Sequence, residues 1–183
     1  MWIVITIFIL ALITIVWVFN RLVRCRFLTR EAWSGMDVQL KRRHDLIPNL
    51  VEAVKNYAQY ERGVLTEITN IRTKLAQVTN PKEQTPLENG LSQAFKNIFA
   101  LAEAYPDLKA NKSYLELQKG LTEIEDQIQL ARRYYNGTVR NYNIAVESFP
   151  GNLVAALFNF KPEDFFEIEY ATERNVPDVK FGG

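Results

Sequence analysis

The chain opens on an unbroken apolar run and then settles into helical alternation. Trp2 to Phe19 reads WIVITIFILALITIVWVF, with Thr6 and Thr14 its only polar residues and no charge. Its 18 residues would rise about 27 Å as a helix, close to the roughly 30 Å of a bilayer core. Threonine is tolerated there because its hydroxyl can bond a carbonyl of the preceding turn. Trp2 and Trp17 stand near the two ends, where indoles favour the membrane–water interface. The run predicts a transmembrane anchor over residues 1–20. A cleaved signal peptide needs a basic leader and small residues at the cut; only Met1 precedes this run, and it ends in WVFNRLVRC.

Beyond a basic juxtamembrane segment, 21–30, apolar positions recur at helical spacing. One seam reads Trp33, Asp37, Leu40, His44, Ile47, Val51, Val54, Ala58, Glu61, Leu65, Ile68, Arg72, Leu75. Steps of four and three mark one face of a long packed helix. Pro48 interrupts the hydrogen-bond ladder, so a kink or a break between coaxial helices is expected, with Asp45 as a candidate cap. TNPKEQTPLENG then predicts a flexible loop over 79–90. A shorter helix, Leu91 to about Tyr105, carries Phe95, Ile98, Phe99 and Ala102.

The clearest pattern lies between Lys112 and Ser148. Leu117, Leu121, Ile124, Ile128, Ala131, Tyr135, Thr138, Tyr142, Ala145 and Phe149 keep the four–three alternation throughout. Pro150 closes it, and Gly151 to Phe158 predicts one short helix carrying Leu153, Leu157 and Phe158. Residues 161–183 read as an extended tail packed partly on the bundle. The fold class is therefore all-α: an N-terminal transmembrane helix followed by an antiparallel three- or four-helix bundle of long helices over 31–160.

Composition narrows the function more than it defines it. A formal net charge of +1 offers no global attraction for nucleic acid. One cysteine and one histidine exclude a disulfide framework within the chain and a cysteine-based zinc site. No GxGxxG, GxxxxGK[ST] or HExxH occurs. Arg21, Arg24, Arg26 and Arg30 follow the span with no Lys or Arg before it. The positive-inside rule then puts Met1 outside and the bundle in the cytoplasm. The arginines can also touch anionic headgroups.

Candidate chemistry gathers in two places. RRHDLIPN, from Arg42 to Asn49, holds the lone His44. His44 and Asp37 share a helix face, whereas His44 and Asp45 are adjacent and point apart. No nucleophile accompanies them, so His44 reads as a partly buried ring with one nitrogen bonded. Glu123, Glu125 and Asp126 read as solvated or paired with Arg42, Arg43 or Arg72. The other place is ARRYYNGTVRNYN, from Ala131 to Asn143. Tyr135 and Tyr142 fall in the seam one heptad apart, and Asn136 and Asn143 repeat that spacing beside it. Asp37, Arg43, His44 and Asn49 with Arg132, Tyr135, Asn136, Tyr142 and Asn143 then form either a register-setting polar layer or a strip that receives a protein partner. In the layer, Asp37 and Asn49 are the expected partners of the second block.

Glu31 to Ala58 and Ala131 to Asn143 resemble the two hallmark blocks of the LemA family, and SFPGNLVAALFNF with EDFFEIE extends the likeness. The resemblance implies a bacterial protein held by one N-terminal helix, with a helical bundle. It brings no cofactor and no catalytic residue. The family's hallmark positions map to Trp33, Asp37, Leu40, Arg43, Leu46, Pro48, Asn49, Leu50 and Val51, and to Arg132, Tyr135, Asn136, Tyr142 and Asn143. His44 takes a place that is often tyrosine in similar proteins. The reading is a scaffold or adaptor in a bacterial inner membrane, not an enzyme. Its partners are the lipid bilayer, an unidentified membrane or cytoplasmic protein and, as an open alternative, a second copy. The rival reading is a membrane-tethered hydrolase or metal-dependent enzyme.

Overall fold

In the computed structural model, α1 runs without interruption from Trp2 to Lys55, 54 residues, a rise of about 81 Å. The structure describes residues 1–55, 57, 62–78 and 80–167. Ala58, Glu61, Thr79 and the tail from Ile168 onward lie outside the described residues. Within the apolar run the threonines bond their own helix: Thr6 Oγ1 donates to the Trp2 carbonyl at 3.0 Å, and Thr14 Oγ1 to that of Leu10 at 2.8 Å. Residues 2–17 of this helix are all exposed, a segment long and apolar enough to cross a membrane.

Pro48 neither ends α1 nor starts a new helix, and Asp45 caps nothing. The proline is exposed, so its ring displaces no packed neighbour. The buried stripe is Ala32, Met36, Leu40, Arg43, Ile47, Leu50 and Val54. Trp33, Asp37, His44 and Val51, placed in the seam by the heptad reading, are only half-buried. That seam supposes one partner helix. α1 has neighbours on two sides, and the stripe centre turns to lie between them.

Those neighbours are α2 (Arg62–Leu75), α3 (Pro81–Ala104), the single turn α4 (Pro106–Lys109), α5 (Lys112–Glu147) and α6 (Gly151–Leu157). The expected loop 79–90 is helical from Pro81. Asn80 caps it, its side chain accepting from the Lys82 amide at 3.0 Å, and Pro81 takes the first helical position. Asn111 starts α5 in the same way.

Three packed layers follow α1 outward and fix the direction of α5. Val18 and Leu22 pack on Tyr142, Ala145, Val146 and Val154. Ala32, Met36 and Leu40 pack on Ile124, Ile128, Tyr135, Val139 and Phe166. Ile47, Leu50 and Val54 meet Leu121, Tyr114, Ile68, Leu91 and Ile98. Rising numbers on α1 meet falling numbers on α5, so the two helices are antiparallel. α2 and α3 complete a four-helix bundle at the far end. Near the span, α6 and residues 160–167 take their place against α1 and α5.

α6 is seated by glycine. A Cβ on Gly151 would overlap the Ala145 carbonyl oxygen, so another residue there would push α6 off α5. The short helix buries Gly151, Val154 and Ala155, whereas Leu153, Leu157 and Phe158 are exposed. It ends at Asn159, whose φ of 57° is left-handed. The Phe160 amide bonds back to the Ala155 carbonyl at 2.9 Å, which is the closing bond of a Schellman turn. The chain thereby reverses and runs up the side of α5.

Candidate functional site

On the buried stripe of α1 lies a charged side chain, Arg43, only 1% exposed. Its guanidinium donates from Nη2 to Glu88 Oε2, from Nη1 to Glu125 Oε2 at 2.7 Å, and from Nη1 to Ser92 Oγ at 3.0 Å. Glu88 is fully buried on α3, and its other oxygen meets His44 Nε2 at 2.8 Å. For a neutral ring beside a carboxylate, Nε2 is then the protonated nitrogen. One carboxylate thus joins two consecutive residues of α1. Arg43 and His44 diverge along their own helix, but both reach Glu88 from across the α1–α3 groove. Two buried atoms of this cluster find no hydrogen-bond partner, Arg43 Nε and Glu125 Oε1. Buried ion pairs fix geometry better than they add stability, and removing one partner is costly.

The second block does something else. Asn136 makes a two-point bond to the backbone of the returning chain: Nδ2 donates to the Phe166 carbonyl at 3.0 Å and Oδ1 accepts from the Phe166 amide at 2.9 Å. Asn143 repeats this with the carbonyl and amide of Glu163, both at 2.9 Å. The two asparagines sit two turns apart on one edge of α5. They clamp residues 163–166 as an extended strap running antiparallel to the helix. Tyr135 donates its hydroxyl to the Asp164 carbonyl at 3.0 Å. Phe166 is fully buried between them, its ring 6.0 Å from that of Trp33, which lies 5.3 Å from Tyr135. Burial, with the charges of Glu163 and Asp164 behind it, raises the Tyr135 hydroxyl to about 12. Burial also raises Tyr142, which is packed against Val18 and Leu22.

The residues of the expected polar layer therefore divide. Arg43 and His44 belong to the charged cluster. Tyr135, Asn136 and Asn143 belong to the strap clamp, and Arg132 bonds Gln129 on its own helix. Asp37 does not meet the second block: it pairs with Lys41 at 2.6 Å on the surface of α1. Asn49 is exposed and faces a groove of about 650 Å³ between α1 and α5, lined also by Glu52, Tyr57, Asn111 and Glu116. A second cleft, about 590 Å³, lies over His44 between Trp33, Asp37 and the end of α2 at Arg72. Among the described residues, no three His, Cys, Asp or Glu side chains gather into a set that could hold a metal ion.

Glu88 and the strap are the features that periodicity misses. Glu88 lies in the stretch assigned to a loop by its prolines. Its signal was the four–three series Gln84, Glu88, Leu91, Phe95, Ile98, Ala102, which carries a helix face backward through polar residues. The strap has no period at all, because its bonds come from its own backbone.

Comparison with known proteins gives these geometries a family. Residues 32–181 match the LemA family. Magnetosome protein MamQ 2 of Paramagnetospirillum magneticum is 24% identical over 165 residues, covering 76% of this chain and 61% of its own. Protein LemA of Metamycoplasma hominis is 30% identical over 140 residues, covering 74% and 63%. Magnetosome protein MamQ of Magnetospirillum gryphiswaldense is 22% identical over 159 residues, covering 73% and 58%. The chain thus spans less than two thirds of the length of these relatives. The match takes in α1 from Ala32, the Arg43–Glu88 cluster, α5 with both asparagines, and the strap; with the exposed apolar helix that precedes it, the chain is a membrane-associated member of the LemA family.

Proposed function

We propose that the chain is a membrane-anchored helical scaffold that holds a protein partner on its bundle and performs no chemistry of its own. The observation that carries this reading is α1. One uninterrupted helix supplies both the bare apolar segment of residues 2–17 and the buried spine from Ala32 to Val54. A bundle mounted this way has a fixed bearing on the bilayer, which suits the presentation of a surface. The polar side chains support the same reading. Glu88 has both oxygens engaged, and Asn136 and Asn143 are occupied by the strap. Groups so engaged are poorly disposed to meet a substrate.

In this reading the partner meets the groove beside Asn49, at the end of the bundle farthest from the span. The bundle lies in the cytoplasm beneath a bacterial inner membrane, which the arginines after the span support. Photo-crosslinking side chains at Asn49, Glu52 and Glu116, tested in native membranes, should each give the same discrete protein adduct. The exposed position Asn97 on α3 should give none. No groove-specific adduct from any of the three positions would end the adaptor reading. A cysteine replacing Gln93 in a Cys25→Ser chain tests orientation: labelling in intact cells by an impermeant reagent would reverse it.

A further inference from the structure

The proximal end of the bundle carries apolar side chains that stay largely exposed. Phe149 is 79% exposed, Leu153 63%, Leu157 72% and Phe158 48%. Leu153 and Leu157 are exposed side chains of α6, whose Val154 and Ala155 pack with Val18 and Leu22. The segment from Phe149 to Phe160 contains no charged residue. Single exposed leucines are ordinary; a contiguous apolar set on an uncharged segment marks a contact.

Its place in the fold says which contact. The Phe158 ring lies 4.8 Å from that of Phe19, at the last turn of the apolar run. Trp17 and Arg21 of α1 border a small hollow of about 70 Å³ whose other wall is Ser148, Phe149, Pro150 and Gly151. Trp17 is the interfacial indole of the predicted span, so any bilayer that covers α1 as far as Trp17 abuts this turn. The polar collar begins at the same level. The Arg21 guanidinium sits 5.7 Å over the Trp17 ring and that of Arg26 5.9 Å over Phe160, with Lys161 next in sequence. Apolar side chains directed outward beside a ring of cations are the arrangement of a segment lying in the headgroup–acyl boundary.

We propose that the tip from Phe149 to Phe158 is a second membrane contact, with Phe149, Leu153 and Leu157 inserted into the lipid interface next to the span. The proposal rests on residues 2–19 crossing the bilayer. Two contacts, one through the membrane and one lying in it, would fix the tilt of α1 as well as its depth.

The test uses the full chain, carrying Cys25→Ser, in vesicles of phosphatidylethanolamine and phosphatidylglycerol. Single spin labels are placed through Leu10→Cys, Leu153→Cys, Leu157→Cys and Lys119→Cys, all at exposed positions. Collision with oxygen, which partitions into lipid, is compared with collision with a water-soluble nickel chelate. The labels at positions 10, 153 and 157 should show an oxygen-to-chelate ratio several-fold above that at 119, with 10 the deepest. A deep label at 10 with labels at 153 and 157 as wet as 119 would overturn the proposal and leave the span intact. Labels at 153 and 157 shielded from both reagents and broadened by a like label nearby would overturn it in favour of a second copy. A label at 10 open to the chelate would remove the span and the tip together.

Discussion

The two polar constructions on α1 and α5 solve opposite problems. The Arg43–Glu88 pair lies inside the four-helix end, almost sealed from water, and through the partly exposed Glu125 it joins three helices. The asparagine clamps lie at the side of the span-proximal end, use neutral amides, and hold backbone instead of side chains. Charge in the interior gives a penalty for any other helix register, because a slip would strand an ion. Amides on an edge give direction without that penalty, since water can replace each bond when the strap lifts. The first construction decides how helices align. The second decides where a non-helical chain lies.

The contrast is sharpest under mutation. Glu88→Ala should cost about 3–5 kcal/mol by leaving Arg43 buried with one carboxylate fewer. Chemical denaturation checks it, and the pair Arg43→Met with Glu88→Leu should recover much of the loss. A single-mutant cost below about 1 kcal/mol would mean that water reaches the cluster. Asn136→Ala should cost less, about 1–3 kcal/mol, because it strands the amide and carbonyl of a buried Phe166. Its effect should be local: hydrogen exchange should quicken at Phe166 while Leu50 and Ile128 keep their protection. Quickening throughout the bundle would erase the distinction drawn between the two constructions.

Alkali offers a gentler probe of the strap. Tyr135 is raised to about 12 by burial and by Glu163 and Asp164, against about 10 in an unfolded chain. The folded state therefore favours the neutral phenol. That stabilisation is complete below about pH 10 and is lost as pH rises toward 12. Tyr135→Phe should flatten part of this decline, and Tyr114 and Tyr142, raised in the same direction, should sustain the rest. An unchanged alkaline slope would mean that the phenol is not held against the strap. Smallest of all, Asn49→Ala should alter stability by no more than about 0.5 kcal/mol, since Asn49 is exposed. A thermal midpoint equal to that of the parent chain is the expected result.

How far each region could be read from the sequence follows from what holds it. α5 was legible because its apolar stripe, Leu121 to Ala145, packs on α1 along its whole length. The apolar run was legible because its surroundings are uniform. On α1 Leu40, Ile47 and Val54 were placed rightly, but Trp33, Asp37, His44 and Val51 stand one residue past the buried Ala32, Met36, Arg43 and Leu50, since the stripe serves neighbours on two sides and includes an arginine where a heptad expects an aliphatic residue. Glu88 was hidden by Pro81 at the start of its helix and Pro86 inside it, although Asn80 and Pro81 are themselves helix-initiating residues. The asparagines at 136 and 143 stood out by their spacing, but their partners did not. Asp37 and Asn49 were reasonable by charge and shape, yet the bonds go to the Phe166 and Glu163 backbone, and any residue other than proline presents the same amide and carbonyl.

The antiparallel lie of the strap gives the molecule a mechanical polarity. Suppose the chain beyond Glu167 is drawn away from the side of α5. The Phe166 clamp then bears the load first and alone, the Tyr135–Asp164 bond next, and the Glu163 clamp last. The joint peels in sequence at low force. Suppose instead that the same end is drawn along the helix axis, toward the far end of the bundle. Both clamps and the Tyr135–Asp164 bond then carry tension together, and all five bonds must fail at once. A ligature built in this way yields to a sideways tug and resists a lengthwise one, so the direction of a pull on the tail would decide whether the strap comes free.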